Sequence, residues 1–230
     1  MVRVPGGTFT MGSTSASTAE LRAHSVSVAP FDIDTTEVTV AAYKACVAAN
    51  ACTPATEDKD GAQDMCTWFQ RNPALPINCI SPPQGEAFCK WAGKRLPTEA
   101  EWEFAARGTD GRLYPWGSDA PLDQLCWSGA SKFKTTTRGQ VTTCPVSSHP
   151  LDRSPFGAVD MAGNVSEWTS SGFCDFNPEP CAPSPGMRVH RGGYHFDTGP
   201  EMVRATYRTR EAALWGYTQV GARCARSVSP

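Results

Sequence analysis

Ala87-Phe88-Cys89-Lys90-Trp91-Ala92-Gly93-Lys94-Arg95-Leu96-Pro97-Thr98-Glu99-Ala100-Glu101-Trp102-Glu103 is the stretch whose reading decides the fold. It holds the end of one helix, a tight turn and the start of a second helix. Upstream, Ser81-Pro82-Pro83-Gln84 supplies an N-cap serine, a proline at the first helical position and a glutamine three residues after the cap. That pattern satisfies two amides at the helix start reciprocally. Ala87, Phe88 and Trp91 then share one side, and Gly93 ends the helix. Thr98-Glu99-Ala100-Glu101 repeats the capping box. Trp102, Ala105 and Ala106 form the apolar stripe of the second helix, and Gly108 supplies a left-handed stop.

Outward from this pair the pattern changes. A third helix is expected from Thr39, with Val40, Tyr43, Ala45, Cys46 and Val47 on one broad face. Residues 50–75 carry Cys, Pro, Asp and Gly without periodicity and read as a stapled loop. Short strands are expected at 3–11, 26–33, 114–117, 154–168, 190–195 and 221–227. The predicted class is α+β, with few helices and much coil. With no internal repeat or long linker, residues 1–230 are read as one domain.

Twenty Gly and nineteen Pro among 230 residues exceed average usage, and with seven Trp and ten Phe they point to a turn-rich fold pinned by aromatics. A long helical bundle is excluded. An apolar fraction of 40% supports a real core and argues against disorder. The net charge of −2 and the absence of any sustained basic stripe exclude a nucleic-acid surface. No stretch approaches the ~18–20 apolar residues of a membrane span, so none is expected.

Ten cysteines lie in local pairs: Cys46/Cys52, Cys66/Cys79, Cys126/Cys144 and Cys174/Cys181, leaving Cys89 and Cys224. None forms a CxxC, so zinc-ribbon and thioredoxin readings lack their spacing. The alternatives are ten reduced buried thiols or five disulfides. Cys framing loops fit the second, with Cys89–Cys224 tying an early helix to the last strand. The protein is therefore expected to be exported (periplasmic, cell-surface or secreted). The opening Met1-Val2-Arg3-Val4 has no apolar signal core, so a signal segment is absent from this sequence.

Five ordered motifs carry a family resemblance over almost the whole chain. They are Pro5-Gly6-Gly7-Thr8-Phe9-Thr10-Met11-Gly12-Ser13, the 87–103 stretch, Tyr114-Pro115-Trp116-Gly117, the 156–168 run around Gly163-Asn164-Val165-Ser166-Glu167-Trp168, and Arg191-Gly192-Gly193. The chain resembles the formylglycine-generating enzymes, or sulfatase-modifying factors. The resemblance implies a C-type-lectin-like variant fold, with two to three helices on a small antiparallel sheet core. The charges of the 94–99 turn, and Trp102, Trp116 and Trp168, are read as structural anchors.

Enzymes of that family are similar in a cysteine pair, five residues apart after the Gly-Gly motif, that binds copper and converts a substrate cysteine to formylglycine. Soft thiolates suit Cu(I). Here the stretch after Gly193 reads Tyr194-His195-Phe196-Asp197-Thr198-Gly199-Pro200-Glu201-Met202, without cysteine. His195 and Asp197 are the candidate catalytic residues in its place. Two apart on an expected strand, they would share a face, with His190 five residues before, a pattern that an iron or copper site could use. The related sulfoxide synthases keep their iron ligands on a separate helical domain, for which this chain has no room.

The resemblance also implies structural Ca²⁺. Asp160 and Glu167 would give carboxylates, and Gly163 and Val165 backbone carbonyls. A second family calcium site is discarded, because Leu125 and Arg138 stand where ligands are expected.

Three function classes follow. The first is a calcium-stabilised, disulfide-bonded module binding a protein or peptide, with Tyr194, Phe196, Arg204, Tyr207, Arg208 and Trp215 as its candidate face, joined by His195, Arg210 and Tyr217. The second is a metal-dependent oxidoreductase with other ligands. The third is a ligand-display protein of C-type-lectin type.

Overall fold

The computed structural model describes residues 1–14, 20–55, 61–129, 143–174 and 182–228. Among the described residues, three α-helices stand beside nine short strands in three sheets. Strand β1 (Val2–Val4) pairs antiparallel with β4 (Phe31–Ile33), which pairs on its other side with β9 (Ala225–Ser227). The two ends of the chain thus share one sheet. Strands β2 (Gly7–Met11) and β3 (His24–Val28) form a separate antiparallel pair. The largest sheet has the order β7 (Arg208–Ala212), β6 (Met187–Arg191), β5 (Ser166–Gly172), β8 (Val220–Gly221), antiparallel except for the β5–β8 pair.

Helix α1 (Val40–Ala48) starts where Thr39 Oγ1 accepts from the Ala42 amide at 3.2 Å. It buries Val40, Tyr43 and Cys46, while Ala45 faces solvent, so the apolar face is narrower than its composition suggests. In α2 (Pro82–Trp91) the Gln84 carbonyl oxygen accepts from the Ser81 amide at 2.9 Å. In α3 (Glu99–Arg107) Thr98 Oγ1 accepts from the Glu101 amide at 3.1 Å, and Glu101 accepts from the Thr98 amide at 2.8 Å. Both capping boxes form as the local sequence dictates.

Several expected strands are shorter than read. The 190–195 strand ends at Arg191, because Gly192 and Gly193 take φ of +103° and +69° and turn the chain away. The 154–168 strand becomes a loop up to β5, since Gly157, Asp160, Gly163 and Asn164 all have positive φ. At 114–117 there is a tight turn closed by Tyr114 and Gly117, with Tyr114 stacked on Trp116. Segments 3–11, 26–33 and 221–227 each split in two.

Four disulfides, Cys46–Cys52, Cys66–Cys79, Cys89–Cys224 and Cys126–Cys144, join the expected partners. Cys174 is also disulfide-bonded, and Cys181 lies outside the described residues. Such a set is consistent with an oxidising compartment. Among the described residues no helix is long and apolar enough to cross a membrane.

Two apolar clusters flank the interior. One packs Val40, Tyr43, Ile80, Phe88 and Leu96 against Trp168 and Val220. The other packs Val4, Phe9 and Ile33 against Trp102, Phe104 and Ala105. Helix α3 and strands β5 and β6 meet between them, and there the buried charges lie.

Candidate functional site

Glu99 and Glu103 are one helical turn apart on α3, on the face that also carries Trp102 and Ala106. A charge inside an apolar stripe must find partners. Both carboxylates do, in a buried ladder. Arg208 reaches Glu99 at 2.7 and 3.0 Å, and Arg191 reaches Glu99 at 3.3 Å and Glu103 at 2.5 Å. Arg107 closes the ladder on Glu103 at 2.9 Å. Arg191 also donates to the Ala205 and Thr206 carbonyls at 2.8 and 3.0 Å, while its buried Nε has no partner among the described residues. The Arg of the Arg-Gly-Gly motif is thus a strut between α3 and the 205–208 segment.

A second cluster centres on Arg223, which is fully buried. Its guanidinium contacts Glu167 at 2.8 to 3.1 Å and donates to the carbonyls of Asp34, Val159 and Asp160. The Trp102 indole donates to Glu167 at 2.6 Å. Glu37 accepts from the Asn164 side chain at 2.8 Å and from the Val165 amide at 3.1 Å. Asp160 accepts from the Ser147 amide at 2.6 Å, and Asp152 from the Ala162 amide at 3.1 Å. One oxygen of Asp152 is buried without a partner among the described residues. Burial, and then the charge of Asp160, hold the Glu37 and Asp152 carboxyls well above their usual range. Asp160 is raised by burial too, against the Ser147 amide and Arg223. Four acids share one arginine.

This region contains the residues implied for calcium. Asp160, Gly163 and Val165 offer hard oxygen donors of the kind calcium takes, and the surplus negative charge favours a cation. Glu167 departs from that role, because Arg223 and Trp102 already hold its carboxylate. Gly163 is needed for another reason: at φ +72°, a Cβ there would lie 2.5 Å from the Cys126 carbonyl oxygen. Of the discarded second site, Leu125 is a core residue and Arg138 lies outside the described residues.

The turn after β6 is pinned to this loop. Gly192 accepts from the Gly163 amide at 2.8 Å, and Gly193 from the Ser166 hydroxyl at 2.9 Å. A Cβ on Gly193 would meet the Met202 carbonyl oxygen at 2.5 Å, so no other residue fits. The His195 amide and Nδ1 both donate to the Asn164 carbonyl, at 3.0 and 2.8 Å. Burial pushes His195 down to about 4, so the ring is neutral. Asp197 accepts from the Tyr194 amide at 2.8 Å, and its other oxygen is buried without a partner among the described residues. Burial pushes its carboxyl up to about 7, opposed by the Tyr194 amide and reinforced by Glu201.

His195 and Asp197 therefore do not share a strand face, as their spacing predicts; the glycine turn sends them to different partners. His190 stands edge-on to Trp168 with Thr209 on its nitrogens, and burial lowers it to about 3. Among the described residues no three His, Cys, Asp or Glu side chains converge to hold a metal.

Of the expected binding face, Tyr194, Phe196, Arg204 and Tyr207 are half-buried, and Trp215 is exposed beside Leu214. Arg208 leaves that face for the ladder. Tyr217 is buried against Trp168, and Arg210 lies over the Phe173 ring at 4.2 Å.

Over residues 1–228 the chain matches the family described as Sulfatase-modifying factor enzyme 1-like domain. The chain belongs to the sulfatase-modifying factor family. It is 31% identical to the mouse protein Inactive C-alpha-formylglycine-generating enzyme 2, over 99% of this chain and 86% of that protein. It is also 31% identical to the Formylglycine-generating enzyme of Mycobacterium tuberculosis, over 75% of this chain and 74% of that enzyme. Among solved structures it is similar to PvdO from Pseudomonas aeruginosa, with a TM-score of 0.78, 24% identity and coverage of 98% and 93%. That likeness shows the fold, the C-type-lectin-like α+β architecture of sulfatase-modifying factors. One relative is named inactive and another an enzyme, so in this family the site decides activity.

The residues missed by sequence reasoning in this family member are Glu37, Asp152, Arg191 and Arg223. Glu99 and Glu103 inside an apolar stripe were a signal that a buried arginine must exist. Nothing local marked Glu37 or Asp152.

Proposed function

We propose that this chain is a family member that does not form formylglycine. It acts instead as a disulfide-bonded, calcium-stabilised module of an oxidising, extracytoplasmic compartment, binding a protein or peptide. The observation that carries this reading is the fate of the thiols. Residues 194–202 contain no cysteine, and Cys224, the only cysteine after Cys181, is bonded to Cys89. Cu(I) is held by soft thiolates. The turn offers a neutral imidazole and a buried carboxylic acid in their place. The surplus of acids around Arg223 supports calcium near Asp160, and the half-buried aromatics with exposed Trp215 support a contact face.

The test is incubation of the purified protein with a sulfatase-type cysteine peptide, with and without copper, read by mass spectrometry. No conversion of the cysteine is expected, and formylglycine in the peptide overturns the reading. Copper or iron co-purifying in near-unit ratio, and lost in His195→Ala, would favour a metal-dependent oxidoreductase instead.

A further inference from the structure

The turn after Gly193 holds an acid that is short of a positive partner among the described residues. Asp197 is only 2% exposed, and one of its oxygens has no hydrogen-bond donor among the described residues. Its ionic neighbour is Glu201, of the same sign. Arg191 pairs with Glu99 and Glu103, and Arg208 with Glu99, so neither is the counter-ion of Asp197. Two half-buried phenols feel the same carboxylate. Burial and then the Asp197 charge raise both Tyr194 and Tyr207. Phe196 stands edge-on to Tyr194, with ring centroids 6.3 Å apart. A carboxylate among aromatic rings attracts one kind of ion twice over, by charge and by the negative ring faces.

We propose that this turn is a subsite for a cationic side chain, an ammonium or guanidinium carried by a peptide partner. Asp197 is its counter-ion, and Tyr194, Phe196 and Tyr207 are its walls. The inference rests on the binding-module reading and names the ligand chemistry. A cation donates to the oxygen that has no partner among the described residues, whereas a carboxylate would face Asp197 and Glu201 together.

The probes are acetyl-Gly-Xaa-Gly-amide peptides with lysine, arginine, glutamine or glutamate at Xaa. They are titrated at about pH 8, where Asp197 is ionised, into isotope-labelled protein, and the amide shifts of residues 193–207 are followed by NMR. Lysine and arginine peptides are expected to bind about tenfold tighter than glutamine, the size of one charge-assisted hydrogen bond. The glutamate peptide is expected not to bind. Asp197→Asn, which keeps an oxygen for the Tyr194 amide, should abolish the preference. Should that variant misfold, Tyr207→Leu should still weaken lysine binding while leaving glutamine binding unchanged. Glutamine binding as tightly as lysine overturns the cationic subsite but leaves the module reading intact. A lysine preference that survives in folded Asp197→Asn, or no shift with any peptide, also overturns the subsite. Failure of the module reading shows separately, as formylglycine formation.

Discussion

Arg223→Met removes a guanidinium that solvent does not reach while keeping a side chain of similar length. Lost with it are the contacts to Glu167 at 2.8 to 3.1 Å and hydrogen bonds to the carbonyls of Asp34, Val159 and Asp160 at 2.9, 2.8 and 2.9 Å. Breaking a buried ion pair from one side costs about 3–5 kcal/mol, because the other charge stays behind. Each carbonyl left dry adds about 1–3 kcal/mol, and water entering the vacated space recovers part of it. A net loss of about 4–7 kcal/mol at pH 8 is expected, a large share of the ~5–15 kcal/mol that a native protein holds. At about 2–4 °C per kcal/mol for this size, the melting midpoint falls by at least about 8 °C. The loss also depends on pH. Glu37, Asp152 and Asp160 have raised folded-state values, so the stability tied to each is full below its unfolded value near 4 and is lost as pH rises through the folded one. Arg223 limits that rise, so its removal extends the loss and the deficit is larger at pH 8 than at pH 5. Urea unfolding of both proteins at the two pH values, followed by tryptophan fluorescence and circular dichroism, measures it. A deficit below about 1 kcal/mol at pH 8, or one equal at both pH values, refutes the reasoning.

Three further outcomes are expected. Cys89→Ala with Cys224→Ala opens a loop of 135 residues and should cost about 4–5 kcal/mol in the chain-entropy model, read as a drop in the urea midpoint; an unchanged midpoint would show that this closure is not limiting. For Asp197 the folded value of about 7, against the ordinary aspartate value near 4, means stability present below about pH 4 and lost as pH rises to 7. Asp197→Asn should flatten that slope and be more stable than the parent above pH 7, by at most about 4 kcal/mol, and a variant less stable than the parent at pH 8 counts against it. Calcium at about a hundredfold over its dissociation constant should add about 2.7 kcal/mol to folding, and Asp160→Asn should reduce the gain. A melting temperature indifferent to chelator would end the calcium reading.

The two capping boxes, Ser81 to Gln84 and Thr98 to Glu101, were legible because everything they need lies within four residues. The four described disulfide pairings were legible for a related reason: three are sequence neighbours, and the fourth was what remained. The missing thiols after Gly193 were plain from composition alone. Strand limits were less so, because Gly192, Gly193, Gly163 and Asp160 turn the chain inside stretches whose apolar pattern still reads as extended.

Charge partners were beyond the sequence altogether. Glu37 meets Asn164 across 127 positions, Arg191 meets Glu103 across 88, and Arg223 meets Glu167 across 56. An arginine carries no local mark of whether it will sit on a binding face, as the sequence predicts for Arg208, or become a buried strut, as Arg208 does. That choice is made by desolvation. Once helix α3 packs its apolar stripe on the sheets, Glu99 and Glu103 go inside with it, and arginines delivered from β6 and β7, with Arg107 of the same helix, make their burial tolerable. Local sequence determined the helices, the cross-links and the absence of a copper-binding thiol pair. The closing of the sheets decided which acids share Arg223, and why Asp197 is left with one oxygen unpaired among the described residues.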